Sequence, residues 1–357
     1  MSRREKIARS IVYAILNAKE DGSLPRKPSL LARILRLFSF IRLTYRLVEH
    51  DLFTSLRGVW EIREDDYRAS FDTGKRIHRT KGEGVLTPMG DMGYSGSTFF
   101  CTNDGAYLVK SIPRHFEHNF FKNELLMPYA NHMRSNPSSL LVRITDFLES
   151  THKSIGILLG LSPTHHVVME NIMYGHQDSQ GGLKPKWESW DLKPTSYFYP
   201  ERDVAGGVLA TEATKSKLAD EFNDKIRLSK AQAAEFKLQL EKDTMLLEQS
   251  NSVDYSLFLV RISATDTVDD ESRPLLTPPN PPSWRTGIIS NNKKTVYRAA
   301  ILDFFWAKHT VHAKAMTALV NGYNLIDEQG PMSITTDSKE YRDRFLKMCM
   351  DFVEVEE

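Results

Sequence analysis

The sequence has too few cysteines for a disulfide-bonded scaffold. Cys101 and Cys349 are the two cysteines of the 357-residue chain, far apart and without a Cys-x-x-Cys spacing. This pattern argues against a disulfide framework and against a structural zinc site built on cysteine. We therefore expect a reducing, intracellular setting.

Long hydrophobic runs and a large net charge are also missing. No apolar stretch reaches the roughly 18 residues of a transmembrane helix, and the start MSRREKIARS lacks the apolar core of a signal peptide. A formal net charge of +1 does not fit a strongly basic nucleic-acid binder, so no nucleic-acid partner is expected. Any membrane contact should be peripheral and should depend on a local patch.

With 41% hydrophobic and 26% charged residues, the chain can bury one large core or two ordinary ones. Residues 5–18 and 29–50 carry helical periodicity, and arginines interleave with apolar residues over 29–50. That amphipathic pattern has two equally good interpretations. It fits a packed helix with solvated arginines, and it fits a surface for anionic lipid or a partner subunit. A short helix and turn are predicted over 53–72.

The middle of the chain predicts an antiparallel sheet with helices. Two strand-like runs, STFFCT and AYLVKSI, are separated by Asn103, Asp104 and Gly105, a strong hairpin signal. A helix is predicted over 116–136, and further strands in SSLLVRITDFLES and HHVVMENIM.

The sequence predicts that irregular and regular segments alternate in the second half of the chain. The predictions are an extended connection over 175–225, a helix over 226–250, a strand over 253–264, a flexible insertion over 266–294, a strand in VYRAAILDFFWA and a helix over 334–353.

Four features suit phosphoryl transfer from a nucleotide. Phosphates need backbone N–H groups and a lysine, and Mg²⁺ and the acceptor hydroxyl need carboxylates. The loop from Gly93 to Ser97 offers the backbone N–H groups, and Lys110, in the apolar strand YLVKSI, is the candidate lysine. An edge-strand or outward-facing position for Lys110 is the structural alternative. Asp254 and Asp303 lie at the ends of apolar strands, where charge can be placed beside a cleft.

The motifs GYSGSTFF, AYLVKSI, EHNFF, NPSSLLVRI, HVVMEN, WDLKPTSY, VDYSLF, AILDFF and SITTDSKEYRDRF follow one another along the chain. In this order they resemble the phosphatidylinositol phosphate kinase family over about residues 50–355. The resemblance implies an α+β, two-lobed lipid-kinase fold of the SAICAR synthase-like type, with antiparallel sheets and flanking helices. It divides the chain into N-terminal amphipathic helices (1–50), an N-terminal lobe (51–172) and a C-terminal lobe (173–357) that includes the 266–294 insertion.

The resemblance also implies residue roles. Gly93, Ser95, Gly96, Ser97 and Lys110 match the ATP-binding positions, with Glu117 as a partner for Lys110. The remaining roles are catalysis for Asp191, Lys193 and Asp254, Mg²⁺ binding for Asp303, and lipid phosphate binding for Lys308 and Lys314.

Two departures from the family pattern stand out. Pro194 replaces the glycine of the Asp-Leu-Lys-Gly-Ser motif, which removes flexibility and a backbone donor. The segment after Asp303 carries only dispersed Lys308 and Lys314 where the family has adjacent lysines.

The expected function is transfer of the ATP γ-phosphate to a phosphatidylinositol monophosphate, by default the 4-phosphate, at the cytosolic face of the plasma membrane. The alternatives are an inactive phosphoinositide-binding scaffold and a kinase of a soluble inositol phosphate. Formation of a homodimer is left open.

Overall fold

The computed structural model describes residues 3–19, 22–23, 44–72, 86–89, 97–151, 163–176, 185–194, 222–263, 280–308 and 336–356. The predicted loop residues Gly93, Ser95 and Gly96, and the predicted lipid-binding Lys314, lie outside these ranges. The chain divides into two compact units. One comprises Met1–His118 and Arg143–Gly175, and the other comprises Asn119–Val142 and His176–Glu357.

The helices are α1 (Arg3–Asn17), α2 (His50–Val59), α3 (Glu64–Phe71), α4 (His115–Phe120), α5 (Leu126–Ser135), α6 (Lys230–Gln249) and α7 (Ser338–Asp351), with a π-helical turn at Phe121–Leu125. The strands are β1 (Tyr45–Leu47), β2 (Leu86–Pro88), β3 (Phe99–Thr102), β4 (Tyr107–Ile112), β5 (Ile144–Ser150), β6 (His165–Glu170), β7 (Lys186–Leu192), β8 (Ile226–Ser229), β9 (Ser252–Val253), β10 (Ser256–Ser263), β11 (Ile288–Ile289), β12 (Thr295–Leu302), β13 (Trp306–Ala307) and β14 (Val353–Glu356). None of the helices within the described ranges combines the length and the apolar composition needed to cross a bilayer.

The first unit is built on a six-stranded antiparallel sheet in the order β1-β5-β6-β4-β3-β2. The predicted hairpin joins β3 to β4, and Gly105 in its turn has a φ of 74°, a left-handed conformation that glycine adopts without strain. Helix α1 buries Ile7, Ile11 and Ile15, spaced four residues apart on one face. These residues join the core formed by β3, β4 and β6.

The second unit contains a four-stranded antiparallel sheet in the order β11-β12-β10-β7, the short antiparallel pair β9/β13 and the parallel pair β8/β14. Helix α6 begins with a capping box, in which the Ser229 side chain accepts from the Gln232 amide and the Gln232 side chain accepts from the Ser229 amide. The described chain is therefore a mixed α/β protein with mainly antiparallel sheets, as predicted.

Three local predictions are wrong. Residues 45–47, predicted as part of a helix over 29–50, form β1, because Tyr45 pairs with Ser150 on β5 and alternate residues are buried. Within the predicted extended connection, residues 186–192 form β7, which pairs with β10. Residues 226–229, predicted as helix, form β8.

The prediction of a flexible insertion over 266–294 is wrong for its described part, residues 280–294. Trp284 is buried and its ring lies 4.2 Å from that of Phe236. Arg285 donates through Nη2 to the carbonyls of Ser139 (2.5 Å) and Leu141 (2.6 Å). Residues 280–294 are therefore packed against other segments of the second unit.

The observed units also differ from the predicted lobes 51–172 and 173–357. Asn119–Val142 belongs to the second unit. Within that unit, Tyr129 donates to the Val142 carbonyl at 2.8 Å, and the Val142 amide donates to the Ile301 carbonyl at 3.1 Å. These bonds attach the segment to β12.

Candidate active site

Asp254 and Asp303 lie in one interruption of a β-ladder in the second unit. Ser256 of β10 pairs with Leu302 of β12, and Val253 of β9 pairs with Trp306 of β13. The residues between these two pairings are 254–255 on one strand and 303–305 on the other. The strand pairing thus brings the two predicted acids to the same place, although they are far apart in sequence.

Both acids have left-handed backbone conformations. The φ angle is 66° at Asp254 and 61° at Asp303. Residues other than glycine seldom adopt such angles, although aspartate tolerates them better than most. Left-handed residues other than glycine are concentrated at functional sites, where the surrounding structure holds them. Both side chains are half-buried.

Lys193 follows β7 and reaches Asp254. Leu192 of β7 pairs with Leu257 of β10, so Lys193 lies beside the start of β10. Its Nζ atom is 3.1 Å from Oδ2 of Asp254, and both side chains are about one-fifth exposed. Burial by itself lowers the pKa of Lys193, but the carboxylates of Asp254, Asp191 and Asp303 outweigh it and raise the pKa above its ordinary value.

The predicted acids Asp191, Asp254 and Asp303 therefore each act electrostatically on Lys193, and we call these four residues the acid–lysine cluster. Asp191 is its exposed member and pairs with Phe258 across the sheet. Pro194, which follows the lysine, is buried.

Carboxylate oxygens suit Mg²⁺, which usually takes one or two carboxylates and completes its coordination with water and phosphate oxygens. In the described part of the chain, no group of three or more His, Cys, Asp or Glu side chains could hold a metal ion. The carboxylate of Asp303 is a donor of the type that Mg²⁺ takes in phosphate-binding sites.

The predicted nucleotide-binding lysine is in the first unit. Lys110 pairs with Phe99 on β3 and with Val167 on β6, so its strand is interior and the edge-strand alternative is wrong. Its side chain is buried, with Nζ 5.5 Å from the centre of the Phe99 ring. Ser97 is also buried and is separated from the start of β3 by one residue, Thr98.

Two further predicted residues have observed ionic partners. Glu117 on α4 accepts from Nη1 of Arg114 at 3.1 Å, and its predicted pairing with Lys110 stays a prediction. Lys308 donates to Oδ2 of Asp337, the N-cap residue of α7, at 3.1 Å. This bond lowers the pKa of Asp337.

Two residues beside the cluster were not identified from the sequence. The hydroxyl of Tyr341 donates to the Tyr255 carbonyl at 2.5 Å, and the hydroxyl of Ser252 donates to the Phe304 carbonyl at 2.9 Å. Neither residue type nor spacing distinguishes them in the sequence, since their contacts are to backbone atoms of distant segments.

Comparisons with known proteins identify the family of the chain. The family model described as phosphatidylinositol-4-phosphate 5-kinase matches residues 80–278, more than half of the chain. The matched segment contains Lys110, Lys193 and Asp254, whereas Asp303 lies beyond it. The chain belongs to this family.

Curated relatives carry the same description. Phosphatidylinositol 4-phosphate 5-kinase 5 of Arabidopsis thaliana is 28% identical over 212 residues, which is 58% of this chain and 24% of that protein. A phosphatidylinositol 4-phosphate 5-kinase of Plasmodium falciparum is 24% identical over 276 residues, 71% of this chain and 15% of that protein. The match thus spans about a quarter or less of these relatives' own length.

Proposed function

We propose that this chain is an ATP-dependent kinase that phosphorylates a phosphatidylinositol monophosphate. The observation that carries the proposal is the acid–lysine cluster, in which Lys193 contacts Asp254 and three carboxylates act on one ammonium group. Membership of the phosphatidylinositol-4-phosphate 5-kinase family supports the choice of nucleotide and of lipid class. Phosphatidylinositol 4-phosphate is the substrate we propose, by analogy with the names of the relatives.

We assign to Asp254 the role of acceptor for the hydroxyl proton. The 3.1 Å contact with Lys193 restrains the direction of its carboxylate. A fixed carboxylate can orient the ring hydroxyl and take its proton as the hydroxyl oxygen bonds to phosphorus. Lys193 thereby acts as an orienting group for Asp254, and its charge limits repulsion between the carboxylates.

Asp303 would hold Mg²⁺ through a carboxylate oxygen. When bound, ATP and Mg²⁺ supply the γ-phosphoryl group and neutralise charge as its bond to the leaving ADP breaks. Lys110 and the backbone around Gly93, Ser95, Gly96 and Ser97 are proposed to bind the nucleotide phosphates. Lys110 lies on an interior strand of the sheet, so its side chain has few directions open to it. A buried ammonium group needs a partner, which favours a specific contact with an anion over exposure to solvent.

Several finer parts of the prediction belong to the same proposal. We assign to this chain the two-lobed, SAICAR synthase-like fold. We also propose that it binds peripherally at the cytosolic face of the plasma membrane, where Lys308 and Lys314 contact the lipid phosphate. Because each basic residue contributes only about 1 kcal/mol to binding at an anionic surface, several must act together. A homodimer is compatible with this assignment.

One observation favours a second candidate, a phosphoinositide-binding scaffold with little activity. Pro194 is buried directly after Lys193, where the related motif has glycine, and proline offers no backbone N–H. The ion pair between Lys308 and Asp337 also competes with lipid phosphate for Lys308.

The first test is transfer of radiolabelled phosphate from ATP and Mg²⁺ to vesicles that each carry one phosphatidylinositol monophosphate. We expect product on the 4-phosphate, reduced about 100-fold or more by Asp254→Asn, Asp303→Asn or Lys110→Met. Asp351→Asn, which changes an exposed acid outside the cluster, should retain full activity.

The other outcomes separate the alternatives. Vesicle binding without product on any monophosphate would support the scaffold and contradict the kinase. Product with a soluble inositol phosphate, but not with vesicles, would contradict the lipid assignment alone.

A further inference from the structure

Each left-handed aspartate of the acid–lysine cluster is accompanied by a carbonyl that a buried hydroxyl holds. Asp254 is followed by Tyr255, whose carbonyl accepts from Tyr341. Asp303 is followed by Phe304, whose carbonyl accepts from Ser252. On both strands of the interrupted ladder, a buried hydroxyl therefore donates to the carbonyl of the residue after the aspartate.

Tyr341 lies on α7 and has no exposed surface. Besides its 2.5 Å hydrogen bond to the Tyr255 carbonyl, its ring meets the Tyr255 ring edge to face with centroids 4.8 Å apart. Phe345, one turn further along α7, packs against the same ring at 4.9 Å. Helix α7 thus fixes both the backbone and the side chain of the residue next to Asp254.

Ser252 is on β9 and is likewise fully buried. It pairs with Ala307 on β13, while its hydroxyl donates to the Phe304 carbonyl three residues earlier in the partner strand. The bond therefore joins β9 to the residue that follows Asp303 in the interruption. It supplies a hydrogen bond where the regular ladder pairing is broken.

A left-handed residue other than glycine persists only where its surroundings hold it. The ladder pairing stops on either side of residues 254–255 and 303–305, and the hydrogen bonds from Tyr341 and Ser252 lie within this interruption. We propose that Tyr341 and Ser252 are positioning residues that hold Asp254 and Asp303, respectively, in the conformations required for phosphoryl transfer. The catalytic part of this inference rests on the proposed function.

Tyr341→Phe tests the first assignment because it removes one hydroxyl and keeps the ring contacts. The matched control is Tyr297→Phe, since Tyr297 is also buried and donates to a backbone carbonyl, that of Lys225, at 3.3 Å. Tyr297 is six residues before Asp303 along β12, about 20 Å away in an extended strand. We expect Tyr341→Phe to lower kcat on the order of tenfold to 100-fold with the KM for ATP unchanged, and Tyr297→Phe to leave kcat unchanged.

Ser252→Ala tests the second assignment in the same way. Its control is Ser290→Ala, because the buried Ser290 hydroxyl donates to the Thr295 carbonyl at 3.0 Å at the opposite end of β12. We expect Ser252→Ala to lower kcat by a similar factor and Ser290→Ala to have no effect on it.

Amide hydrogen exchange tests the structural part of the inference without any catalytic readout. Amides of residues 254–256 should exchange faster in Tyr341→Phe than in wild type or Tyr297→Phe, and amides of residues 303–306 faster in Ser252→Ala than in wild type or Ser290→Ala. Wild-type exchange at these amides in both test variants would overturn the inference. Faster exchange with an unchanged kcat in an active protein would overturn it as well. If wild type transfers no phosphate, the proposed function fails, while the exchange measurement still tests whether these hydroxyls hold the two segments.

Discussion

His166 is a fully buried imidazole in the central part of the first unit's sheet. Neither of its ring nitrogens has a hydrogen-bond partner among the described residues, and the Tyr45 ring meets it edge to face at 4.9 Å. Burial, and secondarily the neighbouring His165, lowers the pKa of His166 to about 3. The residue therefore remains neutral in the folded protein over the whole physiological range.

This lowered pKa predicts acid sensitivity. The unfolded chain binds a proton at His166 near pH 6.5, whereas the folded chain does not until about pH 3. Stability is therefore lost as pH falls through this window, by up to about 1.4 kcal/mol per pH unit. We expect His166→Phe to show a shallower loss than wild type in urea unfolding between pH 6.5 and 4.

His115→Gln, which changes an exposed histidine of the same unit, should follow the wild-type pH dependence. An identical slope in wild type and His166→Phe would contradict the assignment of acid sensitivity to this imidazole.

At the scale of elements, α6 is joined to the segment after α5 through one buried carboxylate. Asp243 accepts from the hydroxyl of Ser139 at 2.8 Å and from the amide of Leu140 at 2.6 Å, and its Oδ1 is 2.6 Å from Nε2 of His132. The Leu140 carbonyl in turn accepts from the Ile301 amide at 2.7 Å. The carboxylate thus links α6 to β12, the strand that directly precedes Asp303.

Removing this carboxylate should be costly because buried donors would lose their acceptor. We expect Asp243→Ala to lower the free energy of unfolding by about 3–5 kcal/mol, measured in urea. Asp343→Ala, at an exposed position of α7, should change it by less than about 0.5 kcal/mol. Similar stabilities of the two variants would show that solvent replaces the lost bonds.

Elements with strong local signals were predicted well, and those that depend on distant partners were not. The Asn103–Gly105 turn fixes the β3–β4 hairpin because its residues tolerate the backbone angles of a tight turn. In contrast, β8 is four residues long and directly precedes α6, and its pairing partner β14 begins only at Val353. No local pattern distinguishes such a strand from the first turn of a helix.

At the scale of the whole molecule, neither unit is a single continuous segment. The first unit consists of Met1–His118 and Arg143–Gly175, and its second segment contributes β5 and β6. These two strands lie between β1 and β4 in the sheet. The N-terminal segment alone therefore lacks the middle of its own sheet.

We expect a fragment of residues 1–118 to show no cooperative thermal transition by circular dichroism, because β1 loses its partner and β4 loses one of its two neighbours. A fragment of residues 1–176 restores both strands and should melt cooperatively. A cooperative transition in the shorter fragment would contradict this account of the unit.

The sequence by itself determined the family, the β3–β4 hairpin, α1 and the identity of the charged residues that gather in the acid–lysine cluster. These follow from motif order, turn chemistry and helical periodicity, which are local properties of the chain. Only the tertiary structure decided that Asp254 and Asp303 share one ladder interruption, that Lys193 contacts Asp254, and that Tyr341 and Ser252 hold the adjoining carbonyls. The physical reason is that strand pairing and buried hydrogen bonds join residues far apart in the chain, and sequence spacing carries no record of which distant backbone atoms will meet.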